Sequence, residues 1–123
     1  MLAGLRLSLA VSVALFAGAS GAEEPRTRIA AGSAEHGAKL IEQKGCGGCH
    51  TIPGIADAKG LVGPPLMWMG RRTFIAGMLR NTPANLAAWV YDPQRFVPGN
   101  AMPSTGLTPD EAADVAAYLE TLR

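Results

Sequence analysis

The chain has 123 residues, with 11 Lys or Arg against 10 Asp or Glu and a formal net charge of +1. One small domain is the expected organisation. The even charge balance leaves neither the basic patch that a nucleic acid requires nor the polybasic run that would hold a membrane surface.

In chain order, Arg6 is followed by an uncharged run from Leu7 to Ala22, and Ser20 and Ala22 place small residues at −3 and −1 of a cleavage before Glu23. This is the pattern of a secretory signal over residues 1–22. The alternative is an uncleaved anchor in the inner membrane, for which the 16-residue run is short of the ~20 that span a bilayer. No cysteine follows the run, which excludes a lipoprotein anchor. The expectation is an exported, periplasmic protein. Without Arg6 the remainder carries ten basic and ten acidic residues. A domain of that size buries a limited core and often borrows stability from a disulfide, a metal or a cofactor.

Residues 23–32 read as a flexible leader and 33–123 as the domain. Ser33 is a plausible N-cap for a helix to about Lys44, with Gly37, Leu40, Ile41 and Lys44 at helical spacing. Gly37 on the apolar stripe makes sense if another helix approaches closely there. "GCGGCH", Gly45 to His50, comes next. A weaker helical stretch spans about Arg72 to Leu79. A further helix starts at Thr82 with Pro83 at N1, ends before Pro93, and presents Leu86, Trp89 and Val90. The last helix has Thr108 as N-cap, Pro109 at N1 and Glu111 at N3, which is a capping box. Ala112, Val115, Ala116, Leu119 and Leu122 form its stripe, with Tyr118 at the edge. No segment shows sustained strand alternation. Two long loops separate these helices, and something must hold them.

Cys46 and Cys49 admit several readings. A redox dithiol expects a strand–helix junction, which this pattern does not offer. A structural zinc site needs four ligands, and there is no second cysteine pair. A plain disulfide suits an exported protein but leaves His50 unexplained. Cys-x-x-Cys-His is the c-type haem attachment signal and is the favoured reading, with His50 delivering imidazole to the iron. The sixth ligand is then sought among Met67, Met69, Met78, Met102 and His36. Met78 reads as helix core, Met67 and Met69 as core on either side of Trp68, and His36 as solvent-facing. Met102 stands apart in "VPGNAMPS", where Pro98, Gly99 and Pro103 forbid helix. A thioether there is a soft ligand that favours ferrous iron.

The helix with Gly37, "CGGCH", "GPPL", "NLAAWVYDPQRFVPGNAMP" and the final "VAAYLETL" stand in the order of a class I cytochrome c, and the chain resembles that family over about residues 33–123. Its middle segment is most similar to the cytochrome c domain fused to subunit II of some haem-copper oxidases. The copper-binding domain of those subunits has no counterpart here, so the fused identity is not carried over. The resemblance implies an all-α, small cytochrome c fold of three to five helices wrapped around one covalent haem. It implies thioether anchors at Cys46 and Cys49, a proximal iron ligand at His50 and a distal one at Met102. The Pro64 carbonyl would accept from the other nitrogen of His50. Arg71 or Arg72, with Arg71 taken as the candidate, would face a haem propionate. Trp89 would pack on the haem, Asn100 would bond a propionate or its own loop, and Gly37 would meet Tyr118 where first and last helices cross. The family's lysine-rich ring is missing, which predicts a weak salt dependence of docking. Asn81 stands where one branch carries a propionate-binding tryptophan.

The expected function is one-electron transfer by a monohaem, His/Met-ligated carrier between respiratory redox partners, most simply to a terminal oxidase. No catalytic residue and no nucleic-acid partner are expected. A monomer is expected, touching a membrane only through an uncleaved N-terminus or a membrane-bound partner. The alternatives are a cytochrome bound permanently in a dehydrogenase or oxidase complex, a gas sensor or a peroxidase.

Overall fold

The computed structural model describes residues 32–123. The expected signal segment and all but Gly32 of the expected leader lie outside the described residues. Three α-helices carry the domain: α1, Ala34–Gln43; α2, Pro83–Tyr91; and α3, Pro109–Thr121. Short 3₁₀ turns cover Cys46–Gly48, Met69–Arg71 and Pro93–Arg95, and two strands, β1 (Phe74–Ile75) and β2 (Leu79–Arg80), form one antiparallel hairpin.

Each helix starts where local chemistry dictates. The Ser33 hydroxyl accepts from the N–H of His36, the Thr82 hydroxyl from Asn85, and Thr108 and Glu111 complete the reciprocal capping box of α3. Pro83 and Pro109 open their helices at a position whose N–H has no helical partner anyway.

The last helix is the spine, with α1 and α2 packed against it. Its buried face is Ala112, Ala113, Val115, Ala116 and Leu119, joined by Leu40, Ile41, Leu86 and Val90. The α1–α3 crossing is close because Gly37 lacks a side chain. A Cβ there would lie 2.0 Å from the Asp114 carbonyl oxygen. Gly32 packs on the same stretch of α3, where a Cβ would fall 2.3 Å from the Ala113 carbonyl oxygen. The Asp114 carboxylate bonds both the Ser33 N–H (2.6 Å) and His36 Nδ1 (2.7 Å). Tyr118 does not face Gly37. It lies a turn further on, and its hydroxyl donates to the Pro53 carbonyl at 2.7 Å, pinning the loop after the cysteines to α3. Burial pushes the Tyr118 phenol up.

The expected helix at 72–79 is the hairpin instead. Phe74, Ile75, Met78 and Leu79 have a spacing that a helix stripe shares, but Ala76 and Gly77 both take positive φ (49° and 70°) and the Met78 N–H closes the turn on Ile75 O at 3.0 Å. Two successive left-handed residues end any helix and suit a hairpin turn. Met78 is therefore exposed on this turn, not helix core. Trp68 is also left-handed, at φ 56° and ψ 26°, a conformation that costs a non-glycine residue roughly 1–2 kcal/mol. The kink sends Met69 into the core, lays Gly70 on the Glu120 backbone of α3, and turns Trp68 outward.

Candidate functional site

A cavity of about 630 Å3 lies between the cysteine turn, the helices and the loop of residues 96–108. Its size is that of a cofactor site, for which ~300–1,000 Å3 is usual. Leu66, Met69, Ile75, Leu86, Val90 and Leu119 give it apolar walls. Cys46, Cys49 and His50 line it at one side.

The cysteine turn is tightly closed. The Cys46 carbonyl accepts from the N–H groups of Cys49 (3.1 Å) and His50 (3.0 Å). The following loop straps it down: Gly60 N–H donates to Gly47 O at 2.9 Å and Gly63 N–H to Cys49 O at 2.7 Å. The two cysteines are not joined in a disulfide, and burial pushes the Cys46 thiol up. A reactive dithiol needs the opposite shift. Among the described residues no group of three or more His, Cys, Asp or Glu is placed to hold a metal ion, so zinc has no second half-site.

His50 is held from two directions. Its Nδ1 lies 2.7 Å from the Pro64 carbonyl oxygen. A carbonyl only accepts, so Nδ1 carries a proton, and Nε2 is the ring nitrogen that can offer a lone pair when the imidazole is neutral. Gly63 lies flat on the ring: a Cβ there would fall 2.3 Å from Cε1.

Met102 lines the same cavity. Its backbone is clamped at both ends, because its N–H donates to Asn100 Oδ1 (2.8 Å) and its carbonyl accepts from Gln94 Nε2 (2.7 Å). Gln94 also donates to Asn100 O (3.0 Å) and accepts from Gly99 N–H (2.8 Å). Asn100 lines the cavity and spends its own Nδ2 on Val97 O (2.7 Å) and Pro93 O (3.3 Å), within its loop. Gln94 was invisible in the sequence, since a glutamine after Pro93 carries no motif. Thr105 ties the far side of the loop to Val90 O at 2.9 Å, and Lys44 reaches Gly106 O at 3.3 Å.

The other candidates fall as follows. Trp89 lines the cavity with its ring 6.1 Å from that of Phe96. The cavity wall takes Arg72, not Arg71, because the 3₁₀ turn sends the two side chains apart. The Arg72 guanidinium donates to the carbonyls of Pro65 and Met67, while Arg71 lies outside, in a surface hollow with Met67 and Trp68. Asn81 Nδ2 donates to Met69 O (2.8 Å) and Arg72 O (2.9 Å), and its buried Oδ1 has no protein partner. His36 is committed to Asp114 outside the cavity. Of the methionines, Met69 and Met102 line the cavity, and Met69 is part of the packed core. Lys44 is at the wall; Lys59 and Arg95 are not.

A thiol pair at the edge of an apolar cavity, with an imidazole held through Nδ1 beside it, is the donor set that a covalently attached haem requires. The family model for cytochrome c matches residues 34–123. The chain belongs to the cytochrome c family. It is 35% identical over 102 residues to cytochrome c oxidase subunit 2 of Alkalihalophilus pseudofirmus, covering 82% of this chain and 28% of that protein. It is 33% identical over 94 residues to cytochrome c oxidase subunit 2 of Bacillus subtilis, covering 73% of this chain and 26% of that one. It is 46% identical over 74 residues to cytochrome c of Trypanosoma brucei brucei, covering 59% of this chain and 66% of that protein. The chain thus spans little more than a quarter of the oxidase subunits it matches. As a cytochrome c it is an electron-transfer haem protein, and its cofactor is haem c, attached through Cys46 and Cys49.

Proposed function

We propose that this cytochrome c is an exported monohaem carrier, passing one electron at a time between respiratory partners, with His50 and Met102 as axial iron ligands. The observation that carries this reading is that His50, held through Nδ1 by the Pro64 carbonyl, and Met102, clamped by Asn100 and Gln94, line one apolar cavity beside the two thiols. When bound, haem supplies a one-electron Fe(III)/Fe(II) couple. The Pro64 carbonyl raises the basicity of His50 and fixes its ring. The Met102 thioether, soft and uncharged, favours the reduced state. Leu66, Leu86, Val90 and Leu119 exclude water, so little polar reorganisation accompanies transfer.

A terminal oxidase is the proposed electron acceptor, supported by the likeness to oxidase subunits. Anaerobic mixing of the reduced holoprotein with candidate oxidases tests it: reoxidation no faster than that of a control cytochrome would overturn it. The same likeness favours a second reading, a cytochrome held permanently in an oxidase complex. Size exclusion of a native extract separates a free shuttle from a bound subunit. Export to the periplasm rests on the run from Leu7 to Ala22. One mass spectrum of the purified protein reads leader cleavage and haem addition together.

A further inference from the structure

The charges of this chain are unevenly placed. All ten carboxylate side chains lie outside residues 58–91, which hold Lys59, Arg71, Arg72 and Arg80. Among the described residues, every large hydrophobic side chain that is strongly exposed lies in the same segment. Two groups of them are built into place. Met67, Trp68 and Arg71 line one surface hollow with Arg72. Phe74 and Met78 stand on the neighbouring hairpin, where the Arg80 guanidinium sits 5.6 Å from the Phe74 ring centre. Asn81 ties the hairpin end to the carbonyls of Met69 and Arg72, joining the two groups. Arg72 lines both the hollow and the haem cavity, so this face abuts the site.

Trp68 is the centre of the argument. It is 62% exposed, and its backbone is left-handed. A tryptophan held outward on a conformation that glycine would adopt freely is not explained by the fold. We propose that Met67, Trp68, Arg71, Phe74, Met78 and Arg80 form the docking surface for a protein partner that presents carboxylates around an apolar hollow for Trp68. Aromatic residues, methionine and arginine are the enriched types of protein interfaces, and tryptophan and arginine the commonest anchors. Charge complementarity selects an acidic partner, since the ion pairs among the described residues, His36–Asp114 and Lys39–Glu35, leave Arg71 and Arg80 without a carboxylate. An anionic bilayer is disfavoured: lipid recruitment draws on about 4–8 clustered cations, more than this face offers. The inference rests on the reading that the redox partner is membrane-bound.

The test uses the holoprotein with washed membranes of the native organism, and with protein-free vesicles of mixed phosphatidylcholine and phosphatidylglycerol. Trp68→Gly removes the exposed indole and suits the left-handed backbone, and its unfolding midpoint is measured beside the parent's. Arg71→Glu reverses one charge outside the haem cavity. The expected result is that the parent co-sediments with membranes and not with vesicles, and that each variant binds membranes about tenfold more weakly or worse. Equal binding by parent and variants, or no binding by the parent, overturns the surface. Vesicle binding that Trp68→Gly abolishes assigns the face to lipid and also overturns it. Reoxidation by the same membranes is measured separately. Rapid reoxidation with unchanged binding in the variants sinks this surface alone, whereas Trp68-dependent binding without reoxidation sinks the oxidase reading alone.

Discussion

The α-carbon of Gly63 rests on the imidazole of His50 so closely that an added methyl would fall 2.3–2.8 Å from three ring atoms. The ring cannot swing aside without breaking its bond to the Pro64 carbonyl. Gly63→Ala is therefore expected to displace His50, weaken the low-spin spectrum of the holoprotein and cost about 1–3 kcal/mol in denaturant unfolding. An unaltered spectrum and midpoint would show that the loop gives way and that the ring is not held here.

Met102→Ala is expected to abolish the weak red-edge absorption of methionine-ligated ferric haem and to admit an external ligand such as imidazole. Gln94→Ala should leave the thioether present but slacken its loop. Three bonds from Gln94 hold the backbone of Gly99, Asn100 and Met102, and at about 1 kcal/mol each their loss destabilises by roughly 2–3 kcal/mol. Imidazole titration should place this variant between parent and Met102→Ala. Parent-like affinity would deny the glutamine its role.

Gly37→Ala sets two effects against each other. Helix propensity favours alanine by about 1 kcal/mol. The methyl, however, would sit 2.0 Å from a backbone oxygen of α3, which has no flexible end to move. Overpacking of this kind costs about 1–3 kcal/mol and occasionally more. The variant should be less stable than the parent by urea denaturation, and a gain in stability would contradict the crossing.

Glu111 gives the pH dependence a sign. The Thr108 N–H donates to its carboxylate and holds it below the usual range. A depressed carboxylate contributes stability above its unfolded value, about pH 4.3, which is lost as pH falls through the lower folded value. Glu111→Gln keeps a capping side chain without the charge. Its stability should fall less steeply than the parent's below about pH 4. Parallel acid limbs would remove the carboxylate from the cause.

Local chemistry was legible and directional chemistry was not. The caps at Ser33, Thr82 and Thr108 are set by residues three apart, so the pattern alone places the helix starts. The hairpin escaped because Phe74, Ile75, Met78 and Leu79 repeat as a helix would, and the deciding facts are the positive φ values of Ala76 and Gly77. Arg71 and Arg72 are neighbours of identical chemistry, and only the turn following Trp68 decides which one reaches the cavity. Gln94 acts on carbonyls and N–H groups that every residue possesses, so no motif could point to it.

The contact of α1 with α3 joins residues about eighty apart, with Ser33 and His36 bonded to Asp114. Among the described residues helix α1 is the first element, and its partner α3 is the last. An isolated helix of 10 residues is marginal in water. During synthesis the first helix must therefore wait for the last, and closing a loop of that length is entropically costly until the packing rewards it. In that interval Cys46 and Cys49 lie on an open chain. The order of the chain thus leaves the cavity beside both thiols without one of its apolar walls until α3 brings Leu119 to it.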